Sequence, residues 1–201
     1  MNQPIAGLMM RQKLTMMVNR YRITPLFPDG SEGPLIAFAE QKRMKLREEV
    51  VFFTDESKAT VAFSFKARNI IDMAATTDVL DAARRPIGIF RKDAARSLVN
   101  STWYLEGPGV QATGRERSQG VAVARRFGGM LPIVGDLLDL IPWQFHFDFI
   151  APSGETVFVS ERQRKVRDEY RLLLPLFGQG QQLDWRLGAA MGVALDAFQG
   201  R

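Results

Sequence analysis

The sequence predicts a mainly β protein, a closed antiparallel β-barrel of about twelve strands around a central hydrophobic C-terminal helix. Three observations carry that expectation. The stretch Leu183–Phe198, LDWRLGAAMGVALDAF, has no polar side chain from Leu187 to Leu195, and a helix that is apolar all round is buried all round. Nearly everything before it reads as β-strand, in about eleven or twelve short runs. Finally, an eight-stranded barrel fills its lumen with its own side chains while much larger barrels enclose space, so a sheet of about twelve strands needs a plug. A helix roughly 10–12 Å across can be that plug. Gly188, Ala189, Ala190, Gly192 and Ala194 keep this one thin. Burying Leu187, Met191, Val193, Leu195 and Phe198 is worth on the order of 7–15 kcal/mol as an upper bound, comparable to a domain's net stability.

Taken in order, Met16–Ile23 reads as a first strand and Leu35–Glu40 as a second, separated by the turn chemistry PDGSEGP. The connection QKRMKLREE (41–49) is charged. Val50–Thr54 and Thr60–Ala67 form a hairpin across Asp55–Ser57. Val61, Phe63 and Phe65 face one way and Ala62, Ser64 and Lys66 the other, the period of two of a half-buried strand. Asp78–Asp81 and Pro86–Lys92 make a second hairpin, and Ser101–Glu106 pairs with Val110–Arg117. The pattern breaks at 119–141, where VAVARRF and IVGDLLDLI predict a short helical insert. Trp143–Ile150 returns to strand with Phe145, Phe147 and Phe149 on one face. Thr156–Glu161 and Val166–Leu174 form the last hairpin, and Pro175–Gln182 links it to the helix. A weak echo between PIGIFRK…STWYLE and ETVFVSERQ…DEYRLLL suggests related halves.

Composition narrows the function classes. With 46% hydrophobic and 24% charged residues the 201-residue chain can bury a sizeable core. The absence of cysteine excludes a disulfide framework and a thiol nucleophile. The opening MNQPIAGLMMRQK is a poor signal peptide, because Arg11 and Lys13 follow its short apolar run. The helix is shorter than the roughly 20 apolar residues of a membrane span. A cytoplasmic protein, peripheral on the membrane, with no transmembrane segment is therefore expected. A net charge of +5 and a pI near 9.8 favour anionic partners.

The stretches AEQKRMKLREEVVFFTDES (39–57), FSFKARNIIDM (63–73), DVLDAARRPIGIFRK (78–92), Ser101–Trp103, Asp168–Leu172 and the final LDWRLGAAMGVALDAF cover most of the chain. Together they resemble the LURP-one-related family, part of the Tubby C-terminal-like and phospholipid scramblase-like superfamily. The resemblance implies one Tubby C-terminal-like barrel domain over 1–201 with its central helix at 183–198. It also implies phosphoinositide binding, membrane association or lipid scrambling. The cysteine-rich stretch and proline-rich arm of animal scramblases are missing, and so is an acidic calcium loop of the Asp-x-Asp-x-Asp-Gly kind. These departures point away from calcium-driven scrambling.

Catalytic chemistry finds little purchase. There is no phosphate-binding loop, and Gly178–Gly180 lacks the strand-to-helix context of a dinucleotide fingerprint. The one histidine, His146, shares a strand face with Asp148 but has no nucleophile to serve. No metal-ligand spacing is present, so neither cofactor nor metal is expected, and the protein is not expected to be an enzyme. The basic residues carry the functional expectation instead. Lys42, Arg43, Lys45 and Arg47 form one run; Arg115 and Arg117 alternate on one face; Arg125 and Arg126 follow in the insert; Arg162, Arg164, Lys165 and Arg167 crowd the last hairpin. Convergence of Lys42, Lys45, Arg47, Arg115, Arg117, Arg125 and Arg126 at one barrel end would make a phosphate- or headgroup-binding patch. Spread over all hairpin tips, the same charges would serve solubility alone. Phe127, Met130, Leu131, Ile133 and Val134 beside Arg125 and Arg126 match an interfacial membrane contact or a cap over a barrel mouth. The expected partner is an anionic membrane lipid. A protein-interaction or small-ligand scaffold is the alternative, and nucleic acid, supported by pI alone, is disfavoured.

Overall fold

Alternation sorts each strand into an inward apolar set and an outward polar set, and the inward sets meet around one helix. The computed structural model describes residues 4–15, 18–42, 49–69, 76–93, 102–117, 146–163 and 169–199. The strands are β1 Gly7–Leu14, β2 Val18–Leu26, β3 Ala37–Lys42, β4 Val50–Phe53, β5 Val61–Ala67, β6 Thr77–Asp81, β7 Pro86–Asp93, β8 Thr102–Gly107, β9 Val110–Glu116, β10 His146–Ile150, β11 Thr156–Gln163 and β12 Glu169–Leu173. The helix α1 spans Trp185–Gln199. Each strand pairs antiparallel with its chain neighbours, and β1 closes the cylinder against β12 with Met10 opposite Tyr170 and Leu8 opposite Leu172.

The expected barrel and its central helix are therefore both present. Leu187, Ala189, Ala190, Met191 and Val193 have no exposed surface, and they meet inward residues of the wall such as Phe63, Phe149, Phe158 and Leu172. The small residues of α1 sit where the wall leans in. A Cβ at Gly192 would lie 2.6 Å from Leu172 Cδ1, and one at Gly188 would lie 3.0 Å from Leu174 Cδ2. The wall has its own glycines for the same reason: a Cβ at Gly88 would lie 2.6 Å from Leu187 Cδ2 and 2.7 Å from the Glu106 carbonyl oxygen.

Two boundaries differ from expectation. β1 falls on residues read only as a poor leader. Its pattern, Leu8, Met10 and Gln12 inward against Met9, Arg11 and Lys13 outward, is blurred by Met9 on the outer face. The helix begins at Trp185, two residues after the apolar stretch does. Asp184 is its N-cap: its Oδ1 accepts from the Arg186 amide at 2.9 Å, and its carbonyl accepts the first intrahelical bond from Gly188 at 3.1 Å. The helical insert expected at 119–141 lies outside the described residues.

The helix gives the barrel two distinguishable ends. Leu187, near its start, touches Gly88 and Gly107; Asp196, near its end, bonds Tyr170. The N-rim, where α1 begins, carries the turns after β2, β4, β6, β8, β10 and β12. The C-rim, where α1 ends, is where β1, β3, β5, β7, β9 and β11 finish.

Candidate functional site

Two arrangements of polar chemistry stand out, one inside the C-rim and one around its outside. The inner one is built on Asp196, the one acid of the helix, near its end and 6% exposed. Burying a carboxylate is costly without hydrogen bonds, and three strands supply them. Tyr21 Oη of β2 donates to Asp196 Oδ2 at 2.7 Å, Gln12 Nε2 of β1 donates to the same oxygen at 2.5 Å, and Tyr170 Oη of β12 donates to Oδ1. The Tyr21 hydroxyl also lies 3.2 Å from Gln41 Oε1, so its single hydrogen is shared between two acceptors. Burial first, and then the Asp196 charge, push the Tyr21 phenol far above its ordinary range, so it stays a donor. Directly across from Gln41 in register is Asn19. The Gln41 Nε2 and Asn19 Oδ1 atoms are buried with no hydrogen-bond partner among the described residues.

On the outer wall, Arg115 and Arg117 leave β9 on one face and are both exposed, as their spacing predicts. Their circumstances differ. Arg117 is held by Asp148, with Nε to Oδ2 at 2.7 Å, and its Nη1 lies 3.5 Å from Glu161 Oε1. Arg115 makes no ion pair with another described residue. Arg68 is likewise clamped to Asp78, at 2.7 Å from Nη2 to Oδ1. Lys42 is the last residue of β3, at the C-rim; its side chain, and Lys45, Arg47, Arg125 and Arg126, lie outside the described residues. Exposed cations that the sequence reading passed over are Lys13, Arg91 and Arg171. Arg91 lies with its Cζ 4.1 Å from the centre of the Tyr104 ring. Each faces outward by strand parity, the one signal available for them before a fold is in hand.

His146 is 8% exposed and the Asp148 carboxylate beside it is taken up by Arg117. Among the described residues no group of three or more His, Cys, Asp or Glu could hold a metal ion. No described helix is long and apolar enough to cross a membrane. The chain matches no family model, no curated protein and no solved structure.

Proposed function

We propose that this protein is a non-enzymatic binding module of the LURP-one-related, Tubby-like kind that docks on anionic phospholipid or phosphoinositide headgroups through basic residues. One observation supports this reading above the rest: the described strand ends that precede the basic runs in sequence all lie at one end of the barrel. Lys42 ends β3 and Lys45 and Arg47 follow it before β4; Arg115 and Arg117 close β9 and Arg125 and Arg126 follow before β10; Arg162 is next to last in β11 and Arg164, Lys165 and Arg167 follow before β12. All of those strand ends border the C-rim. Sedimentation with phosphatidylcholine vesicles, with and without an anionic lipid, tests the proposal. Binding is expected to need the anionic lipid and to fall steeply with salt; equal pelleting on neutral vesicles overturns it.

The alternative is a scaffold for a small polar ligand inside the barrel. It is favoured by the unmet Gln41 Nε2 and Asn19 Oδ1, since buried polar atoms are rarely left without partners. Saturable binding of a soluble ligand that is lost in Gln41→Leu while vesicle binding stays absent would support it.

A further inference from the structure

Among the described residues the basic side chains at the N-rim are all neutralised, whereas several toward the C-rim are not. At or near the N-rim the basic residues are ion-paired: Lys58 with Glu40, Arg84 with Glu49, Arg85 with Asp81 at 2.8 Å and Arg186 with Asp184 at 2.5 Å. Asp29, Asp55, Glu106 and Glu155, at the same end, make no ion pair with another described residue. Toward the C-rim Arg20, Arg68 and Arg117 are paired with Glu40, Asp78 and Asp148, but Lys13, Lys66, Arg91, Arg115 and Arg171 are exposed and make no ion pair with another described residue. Each lies within two residues of its strand's C-rim end, which at about 3.3 Å per residue is within the reach of its own side chain.

These five cations are not a patch. They sit on β1, β5, β7, β9 and β12. In a closed cylinder of twelve strands those positions span about two-thirds of the circumference. A plane laid along the side of a barrel touches fewer than half of its strands, so side-on docking leaves cations such as Arg91 or Lys13 facing away. A plane across the C-rim reaches all of them and keeps the carboxylates of the N-rim farthest from the negative surface.

Resting on the lipid-docking reading, we infer that the protein stands on an anionic bilayer end-on, C-rim down, with the axis of the barrel and α1 along the membrane normal. The ring of Lys13, Lys66, Arg91, Arg115 and Arg171 supplies contacts from all sides, and the N-rim faces water.

The chain has no cysteine, so single cysteines report position without interference. Asn69→Cys and Gln163→Cys place a fluorophore on opposite sides of the C-rim; Ser57→Cys and Ser153→Cys do the same at the N-rim. Each labelled full-length protein is mixed with phosphatidylcholine vesicles, with and without phosphatidylserine, that carry a headgroup-level quencher. End-on docking quenches both C-rim probes and neither N-rim probe, in phosphatidylserine vesicles only. Quenching of Ser57→Cys together with Asn69→Cys, or of Ser153→Cys together with Gln163→Cys, means side-on docking. That outcome overturns the orientation and leaves the lipid reading standing. Failure to bind phosphatidylserine vesicles overturns both. Lys13→Ala and Arg91→Ala, on opposite sides of the barrel, are each expected to lower partitioning about fivefold. A loss confined to one of them also overturns the orientation.

Discussion

Asp196 ties the end of an apolar helix to three strands through two phenols and an amide. Replacing it by leucine keeps the branching but strands those donors, so Asp196→Leu is expected to lower stability by about 2–4 kcal/mol in urea titration. Asp196→Asn, which keeps one acceptor oxygen, is expected to lose less. Tyr21 adds a pH dependence with a definite sign. Its folded-state pKa is raised, so its contribution is fully present below pH 10 and is lost as pH rises past the unfolded value of about 10. Alkaline unfolding monitored by circular dichroism is expected to begin there, and to be delayed in Tyr21→Phe relative to that variant's own neutral-pH stability. Glu116, raised by burial alone, carries the opposite lesson for a carboxylate: its charge opposes folding at neutral pH. Glu116→Gln is therefore expected to melt slightly higher than wild type at pH 7, with the difference vanishing in acid. None of this residue chemistry was legible in advance. Asp196 was visible as a lone acid in a greasy run, but Gln12, Tyr21 and Tyr170 lie far from it in sequence, and only ring closure brings them together.

At the scale of elements the sequence was more forthcoming. Strands with a clean period of two in sequence, such as β5 with Phe63 and Phe65 inward, stood out, although Val61 of the same set is 40% exposed and Ser64 of the opposite set is buried. The helix stood out because it is buried on all sides. β1 did not, because Met9 lies on its outer face and flattens the alternation. The basic residues were half legible. Runs of arginine and lysine could be seen, but whether each one is neutralised depends on a neighbour across the sheet, as Asp148 neutralises Arg117 and leaves Arg115 unmatched. Close approach between elements gives a sharper expectation. A Cβ at Gly114 would sit 2.4 Å from the Phe149 ring on the neighbouring strand, and that ring is fully buried with little room to yield. Gly114→Ala is expected to cost about 1–3 kcal/mol by overpacking, measured as a lowered midpoint in thermal melting.

For the whole molecule, wall and plug are mutually dependent. Without α1 the inward set of Phe, Leu and Met side chains would face a water-filled bore. Deletion of 183–201, or Leu195→Asp, is expected to give insoluble or molten protein, read as lost near-ultraviolet dichroism with dye binding; a soluble deletion product with a cooperative melt would contradict it. Closure also leaves the twelve described strands with no bare edge for another chain to extend. The seam between β1 and β12 has a consequence in time as well as in space. Residues 7 and 173 must find one another before the ring is complete, and the segment that fills it follows every strand in the order of synthesis. Contacts so distant along the chain slow folding, so a nascent copy emerging from the ribosome carries an unfilled, sticky trough until residues 185–199 arrive. Such a chain is a natural client for chaperones that shield apolar surface.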